Sequence, residues 1–214
     1  MSVTQGRPKG ESDARARLIL VALSLFSHRH YQTVSTREIA REAGVDAALI
    51  RYYFGSKAGL FEQMVRETIA PVVSRFKALS QSEQSSTDIG DIMQLYYRAM
   101  GPHPGLPRLI VRVLQEDEGS EAYRIVLSVF EEVITLSRQW LSQSLLTSDA
   151  LRDGIDADFA RLSLVSLMVF PLIAPPVLVR QFGLVPSADN LKRLAEHNVS
   201  VIEHGLLNTK RRVD

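Results

Sequence analysis

A short helix, a tight turn and a second short helix are encoded in residues 35–54, which run STREIAREAGVDAALIRYYF. Ser35 and Glu38 form a capping box, in which each side chain satisfies a backbone N–H at the start of a helix. Gly44 ends that helix at a position that favours a left-handed residue. Asp46 is a suitable cap for a second helix that runs to Phe54. These signals predict a helix-turn-helix unit.

The two helices of this unit have an apolar inner side and a different outer side. The residues that can pack inward are Ile39, Ala40, Val45 and Ile50, with Leu49 as a further candidate. The residues left on the outer side of the second helix are Ala47, Ala48, Arg51 and Tyr52. In a DNA-binding unit of this kind the second helix enters the major groove, so the pattern predicts binding to double-stranded DNA.

Helical periodicity also dominates elsewhere in the chain, and strand alternation is nowhere sustained. An amphipathic helix with Ser12 or Asp13 as its cap precedes the unit, and a helix capped by Ser56 follows it. Further helices are predicted over residues 89–100, 106–118, 121–146, 157–182 and 188–207. The fold class is therefore all-α with about nine helices. We expect a flexible basic arm at residues 1–11, a DNA-binding head at 12–68 and a helical-bundle body at 69–214, with a polar linker at 80–87.

Composition excludes several classes of protein. The chain has 214 residues, a formal net charge of +1 and no cysteine, so it has no disulfide framework, no Cys-ligated zinc and no thiol catalysis. The default localisation is cytoplasmic. Residues 1–68 hold ten Lys and Arg against seven Asp and Glu, a local net charge of +3 that favours an anionic ligand at the N-terminal end.

One apolar run, residues 162–179, has about the minimum length for a membrane span. Ser163, Ser166, Pro171, Pro175 and Pro176 interrupt this run, and they favour a fully buried helix. We therefore predict that the chain does not cross a membrane.

A longer set of residues resembles a known family. These residues are FSHRHY at 26–31, TVSTREIA at 33–40, AGV at 43–45, YYFGSK at 52–57 and LF at 60–61. In type and order they resemble the TetR family of transcriptional regulators over residues 12–68. The remainder of the chain is similar to the family in its length and in the number and order of its helices.

The resemblance implies a homodimer in which each head contacts one half of a palindromic operator. By the family pattern Thr36 bonds a phosphate and Arg37 reaches a base or a phosphate. The residues that face bases are Ala47, Ala48, Arg51 and Tyr52, and Arg51 is the best candidate to grip a guanine. Tyr53 and Lys57 bond flanking phosphates.

Two further features of the N-terminal part bear on this resemblance. His30 stands where the family usually has glycine, so we expect a strained, left-handed backbone there. Arg7 and Lys9 lie in an arm that proline holds extended, and they are candidates either for minor-groove contacts or for a solvated tail.

The resemblance gives the body two tasks, dimerisation and ligand sensing. The last two helices of each subunit are expected to form a four-helix interface. Its stripe consists of Leu191, Leu194, Ala195, Asn198, Val201, Ile202 and Gly205, which can otherwise close the monomer's own core. Candidates for a pocket that accepts a small apolar ligand, or for ordinary core positions, are Tyr96, Met100, Arg112, Phe130, Trp140, Met168 and Phe170. Pro171 is expected to kink the long helix beside this pocket.

The predicted function is that of a TetR-type repressor released by a small apolar ligand. One alternative is an effector-independent or activating regulator of the same fold. The other is an all-α carrier or enzyme whose N-terminal helix pair is incidental. The chain has no phosphate-binding glycine loop, no nucleophile elbow and no HExxH pair, so we predict that it is not an enzyme and needs no cofactor. His197 and His204 lie seven residues apart, which is unusual for two metal ligands on one helix, so no metal site is predicted.

Overall fold

The computed structural model describes residues 9–80, 89–144, 150–185 and 187–208. Within these ranges the chain forms ten α-helices and no β-strand, which confirms the all-α prediction. The helices are α1 (Lys9–His28), α2 (Thr36–Glu42), α3 (Ala48–Phe54), α4 (Lys57–Ser80), α5 (Ile89–Met100), α6 (Gly105–Leu114), α7 (Glu121–Ser144), α8 (Ala157–Ile173), α9 (Pro176–Gln181) and α10 (Ala188–Gly205). A short 3₁₀ turn at Tyr31–Thr33 follows α1.

The first of two compact units comprises Met1–Glu67 and Leu109–Val129. Its helices α1, α2 and α3 pack against one another around a shared apolar core. The Phe26 ring stacks on the Tyr31 ring at 5.5 Å and meets the edge of the Phe61 ring at 5.0 Å. Fully burying a side chain of this size contributes about 1.5–3 kcal/mol, so this aromatic cluster is a main source of the unit's stability.

The second unit comprises Thr68–Arg108 and Phe130–Asp214. Within it α5 packs along α10, and α8 contacts both helices. A Cβ atom at Gly101 would lie 2.5 Å from the Tyr97 backbone carbonyl oxygen and 2.9 Å from the Leu191 side chain, so a larger residue would force the backbone at the end of α5 to shift. The helical period of α10 buries Leu191, Ala195, Asn198 and Ile202 on the side that belongs to this core.

The long helix predicted over residues 157–182 is two helices. Pro171 lies inside α8 without ending it, whereas Ala174 has extended backbone dihedrals (φ −59°, ψ 148°) between α8 and α9. Ala174 precedes Pro175, and a proline ring disfavours helical dihedrals in the residue before it. The single long helix that the sequence predicts therefore ends before the proline pair 175–176, and Pro171, the expected position of a kink, lies inside α8.

The sequence predicts a fully buried helix in this region, whereas within the single chain α8 is only partly buried. One side of α8 exposes Phe159, Leu162, Val165 and Phe170, although Leu164 and Leu172 are buried. Among the residues that the structure describes, no helix combines the length and the apolarity needed to cross a membrane.

Two smaller differences concern the ends of elements. Helix α1 begins at Lys9, before the predicted cap at Ser12 or Asp13. Of the linker predicted at residues 80–87, Ser80 is the last residue of α4 and the remainder lies outside the described residues.

Candidate nucleic-acid interface

The start of α2 has the capping box that the sequence predicts. Ser35 has an extended backbone, and its Oγ accepts a hydrogen bond from the Glu38 backbone N–H at 3.1 Å. The Arg29 guanidinium donates to the Glu38 carboxylate at 2.6 Å, and this bond lowers the pKa of the carboxyl below its usual value. Thr36 is half-buried beside the cap, and Arg37 is exposed.

The turn between α2 and α3 depends on Gly44. Its φ of +64° lies in the left-handed region that side chains other than glycine rarely adopt. The Val45 N–H donates to the Ala40 carbonyl at 3.0 Å, which closes the end of α2. The Asp46 Oδ1 accepts from the Ala48 N–H at 2.7 Å, so the aspartate satisfies a free donor where α3 begins. This local chemistry sets the angle at which α3 leaves the turn.

Helix α3 has one buried side and one solvent-facing side. Ile50 is buried against the core of its unit, whereas Ala47, Ala48 and Arg51 are exposed and Tyr52 is 68% exposed. In the part of the chain that the structure describes, neither Arg37 nor Arg51 forms a salt bridge, so no carboxylate neutralises these guanidinium groups. A short helix with a free arginine and an exposed tyrosine can place hydrogen-bond donors in a major groove.

The end of α3 is held by contacts with its neighbours in the same unit. Tyr53 packs edge-on against Tyr52 at 4.9 Å and lies 6.0 Å from the Phe54 ring. The Arg15 guanidinium lies over the Phe54 ring at 5.4 Å and pairs with the Glu67 carboxylate. Sequence reasoning missed Arg15, because its partners lie far along the chain from it.

Lys57 is the first residue of α4, directly after the cap that Ser56 provides through its bond to the Gly59 N–H at 3.0 Å. The Lys57 Nζ lies 4.2 Å from the centre of the Tyr31 ring. The family resemblance implies a phosphate contact for Lys57. The tyrosine beneath it is a feature that the sequence analysis did not anticipate.

The left-handed backbone expected at His30 is not present. His30 has an extended conformation (φ −63°, ψ 141°), and within the described ranges positive φ values occur at glycine alone. The chain leaves α1 through an extended conformation at His30, which residues other than glycine adopt readily. Its Nδ1 lies 2.9 Å from the Glu116 carboxylate, a second contact that the sequence did not indicate.

Most of the arm predicted at residues 1–11 lies outside the described residues. Arg7 lies outside the described residues, and Lys9 is the first residue of α1, with its side chain also outside them.

The predicted ligand-pocket residues are dispersed. Met100 and Trp140 are buried in the second unit, Tyr96, Phe130 and Met168 are half-buried there, and Phe170 is exposed on α8. Arg112 lies in the first unit, where its guanidinium donates to backbone carbonyls at the end of α1. The guanidinium of Arg112 is thus engaged in structural hydrogen bonds, whereas Phe170 is partly exposed and lines a groove between α8 and α10.

The predicted dimer stripe on α10 is divided between the core and the surface. Leu191, Ala195, Asn198 and Ile202 are buried within the single chain, although Asn198 also lines a groove between α8 and α10. Leu194 is half-buried, and Val201 and Gly205 are exposed. An apolar stripe at helical spacing does not reveal which neighbour it meets, so the assignment of these residues to a dimer interface stays a prediction.

Known proteins resemble this chain in sequence and in fold. Residues 18–64 match the family model for bacterial regulatory proteins of the tetR family. A probable HTH-type transcriptional regulator, YttP of Bacillus subtilis (strain 168), is 31% identical over 121 residues, which are 53% of this chain and 56% of YttP. The chain thus spans about half the length of the curated relatives it matches.

Two solved structures share the fold over most of their length. NalD of Pseudomonas aeruginosa, the secondary repressor of the MexAB-OprM multidrug efflux pump, has 21% identity and a TM-score of 0.64, covering 93% of this chain and 99% of NalD. The transcriptional regulator FadR of Bacillus subtilis in complex with stearoyl-CoA has 15% identity and a TM-score of 0.62, covering 87% of this chain and 96% of FadR. At these identities the likeness shows the fold alone.

Proposed function

The chain belongs to the TetR family of transcriptional regulators, and from this premise we propose that it is a repressor that binds a palindromic operator as a homodimer and is released by a small apolar ligand. We further propose the division into an arm at residues 1–11, a DNA-binding head at 12–68 and a ligand-binding and dimerisation body at 69–214.

The observation that carries the DNA-binding part of this proposal is the outer side of the helix-turn-helix unit. Arg37 and Arg51 are exposed there without a carboxylate partner among the described residues, and Tyr52 projects beside Arg51. An arginine with a free planar guanidinium can bond the two acceptors on the major-groove edge of guanine. The capped starts of α2 and α3 hold the backbone that presents these side chains.

In this proposal the contacts divide into two kinds. Arg51, Tyr52, Ala47 and Ala48 face bases. Thr36, Tyr53 and Lys57 bond phosphates, and Arg37 reaches a base or a phosphate. Base contacts specify the sequence, whereas phosphate contacts set affinity and register. Arg7 and Lys9 are additional candidates for the minor groove.

Selection of bound fragments from random duplexes tests the DNA-binding proposal and yields the operator. We expect a palindrome, together with an affinity that falls with salt by about 0.9 log units per log unit of salt for each phosphate contact. Arg51→Ala is expected to cost about 1–3 kcal/mol and to relax the preference at one base pair. Lys57→Ala is expected to weaken binding to all DNA sequences alike. It should also lower the slope of log affinity against log salt concentration by about one.

Arg124→Ala is the matched control for these two variants, because Arg124 is an exposed arginine on α7 outside the helix-turn-helix unit. It is expected to leave the sequence preference and the number of phosphate contacts unchanged. Failure of the wild type to retain any duplex at low ionic strength would overturn the proposed function. Identical behaviour of the Arg51 and Lys57 variants would overturn the division of roles.

The dimer part of the proposal rests on the exposed side of α8. Phe159 is 73% exposed and Leu162 is 65% exposed, and Val165 and Phe170 extend the same apolar surface. Contiguous apolar surface of this kind on a protein marks an interaction site. A groove of about 550 Å³ between α8 and α10, lined in part by Phe170, Leu194 and His197, continues this surface. We propose that a second copy of the chain covers it.

The ligand part of the proposal rests on the core of the second unit. The Trp140 indole N–H is buried and has no hydrogen-bond partner among the described residues, an arrangement that costs about 1–3 kcal/mol. A ligand acceptor that enters beside Trp140 would satisfy this donor. FadR, which shares the fold, holds stearoyl-CoA, a ligand with a long apolar chain.

Thermal melting with lipophilic small molecules, followed by operator-release assays with any that bind, tests the ligand proposal. A stabilising compound that also dissociates the operator complex supports a repressor that responds to an effector. Stabilisation lost in Trp140→Phe, which keeps the ring packing on Phe76 and removes the indole donor, would place the anchor at Trp140. Binding without release, or no binding across the panel, would favour an effector-independent or activating regulator.

A further inference from the structure

A buried tyrosine links the start of α7 to the start of α4. Tyr31 is only 3% exposed, and its hydroxyl donates a hydrogen bond of 2.6 Å to the Glu121 carboxylate. Glu121 is the first residue of α7 and lies in the same compact unit as Tyr31. Burial raises the pKa of Tyr31, and the hydrogen bond to Glu121 raises it further, so the hydroxyl remains a donor at neutral pH.

The Tyr31 ring in turn supports the Lys57 ammonium. The Lys57 Nζ is 4.2 Å from the ring centre, within the range in which a cation is attracted by an aromatic face. Phe26 and Phe61 pack against the same ring, at 5.5 Å and 5.0 Å, so the ring cannot turn away from the lysine. Burial lowers the pKa of Lys57, and the nearby Glu121 opposes that shift.

We propose that Glu121, acting through Tyr31, is a positioning residue that holds the Lys57 ammonium ready for an operator phosphate. The inference rests on the proposed function, because it assumes that Lys57 meets DNA. Neither Tyr31 nor Glu121 has to touch the operator. Their effect on DNA binding is exerted entirely through the lysine.

The physical reason lies in the electronic character of the ring and in the flexibility of lysine. A phenol whose hydroxyl donates a hydrogen bond to a carboxylate has a more electron-rich ring, which attracts a cation more strongly. The lysine stem has several rotatable bonds, and restraining it before binding reduces the entropy lost when it meets a phosphate. Within the described ranges Lys57 has no salt bridge, and the ring attracts the ammonium while leaving its charge in place. The nearby Glu121 carboxylate adds a direct Coulomb attraction to the same ammonium.

A double-mutant cycle on the free energy of operator binding tests the inference. Tyr31→Phe keeps the ring and the aromatic packing, removes the bond to Glu121 and leaves the net charge unchanged. We expect this variant to weaken binding to the selected operator about threefold, and to have no effect once Lys57 is replaced by alanine. A duplex with a neutral methylphosphonate at the phosphate contacted by Lys57 should likewise be insensitive to Tyr31→Phe.

Glu121→Gln probes the other end of the link, with Glu118→Gln as its matched control. Glu118 is an exposed carboxylate nearby in the sequence, so both variants lose one negative charge from the same region. Losing that charge alone strengthens DNA binding. We therefore expect Glu121→Gln to bind the operator about threefold more weakly than Glu118→Gln, and this difference should vanish in the Lys57→Ala background.

A measurement on the free protein separates this inference from the proposed function. The Lys57 ε-CH₂ protons lie over an aromatic face and should show an upfield ring-current shift in NMR spectra. This shift is expected to shrink in Tyr31→Phe and in Glu121→Gln, while both variants keep the melting behaviour of a folded protein.

The outcomes that overturn the inference are distinct from those that overturn the function. Additive effects of the Tyr31 and Lys57 substitutions, tighter binding by Tyr31→Phe, or an unchanged Lys57 shift in both variants would each overturn it, even if the wild type binds its operator normally. A wild type that binds no duplex would overturn the proposed function, and with it the phosphate contact on which the inference rests.

Discussion

Asn198 on α10 donates a hydrogen bond of 2.9 Å to the carbonyl oxygen of Leu167 on α8. In a regular helix that oxygen would accept from the N–H of the residue four positions later, which here is Pro171. Proline has no N–H, so the oxygen would otherwise be unpaired in an apolar core. The Tyr97 hydroxyl on α5 donates to the same oxygen at 3.1 Å. A polar side chain deep in α10 is therefore explained by a proline in α8.

This network predicts a coupled effect of two substitutions on stability. Asn198→Ala removes one donor and leaves space in the core, so it should lower the free energy of unfolding by about 1–3 kcal/mol. Pro171→Ala supplies a backbone N–H to the Leu167 oxygen, so the cost of Asn198→Ala should be smaller in that background. Urea unfolding of the four proteins in the cycle measures both quantities.

Glu196→Ala is the control for this cycle, because Glu196 is an exposed residue of α10 close to Asn198. Its effect should stay within about 0.5 kcal/mol. Equal costs of Asn198→Ala with and without Pro171 would show that the proline has no part in the role of the asparagine.

The helix-turn-helix unit could be predicted because its signals are local. The hydrogen bond from the Glu38 backbone N–H to the Ser35 cap and the left-handed backbone of Gly44 each depend on residues within about one helical turn. The structure has both features. The body could be predicted only as a set of helices. The partner of Asn198 lies on another helix, and periodicity gives no sign of it.

The α10 stripe shows a second limit of periodicity. Leu191, Ala195 and Ile202 fall on one helical face, which is required both for a core and for a dimer interface. The sequence pattern is the same in the two cases, and only the packing of α5 against this face distinguishes them. The left-handed backbone expected at His30 is a separate case, since an extended backbone makes the turn there without a positive φ.

Arg112 provides the next prediction, because it caps the end of α1 from α6. Its guanidinium donates to the carbonyl oxygens of Phe26 at 2.5 Å and of Arg29 at 3.0 Å. The last carbonyls of a helix have no partner within the helix, and a cation there also offsets the helix dipole. Arg112→Met keeps much of the apolar stem and loses these donors. It should lower the free energy of unfolding by about 1–3 kcal/mol.

Hydrogen exchange gives a local measurement of the same effect. Amides in the last turn of α1 should exchange faster in Arg112→Met, since the loss of the cap lets that turn fray. Arg124→Met is the comparison, as it removes an exposed arginine of α7 in the same unit. If both variants showed the same stability and the same exchange, the guanidinium would have no capping role.

The Arg29–Glu38 pair predicts a pH dependence with a definite sign. The hydrogen bond from Arg29 lowers the pKa of Glu38 below its ordinary value of 4.5 in the folded chain. A carboxyl whose folded pKa is depressed contributes stability above the unfolded value, and that contribution is lost as the pH falls through the folded pKa. Glu38→Gln should therefore have a lower melting temperature than the wild type at pH 6–7. The difference between the two melting temperatures should narrow below about pH 4.5.

The difference between the two melting curves is the relevant quantity, because the other carboxyl groups of the chain titrate equally in both proteins. Glu118→Gln, which removes an exposed carboxylate, should show a gap that is small at every pH. A Glu38→Gln gap that stayed constant down to pH 3 would mean that the ion pair contributes no pH-dependent stability.

The exposed side of α8 gives the last prediction. Glutamate at Phe159 or Leu162 would place a charge in the proposed dimer interface, where it would be buried without a partner. Each variant should raise the dissociation constant of the dimer at least about 100-fold and yield a particle of 23.9 kDa by light scattering. Leu20→Glu is the control, since Leu20 is 57% exposed but lies on α1. If Phe159→Glu stayed dimeric while Leu20→Glu dissociated, the apolar side of α8 would not be the contact between copies. Another surface would then have to join the two copies and set the distance between their DNA-binding heads.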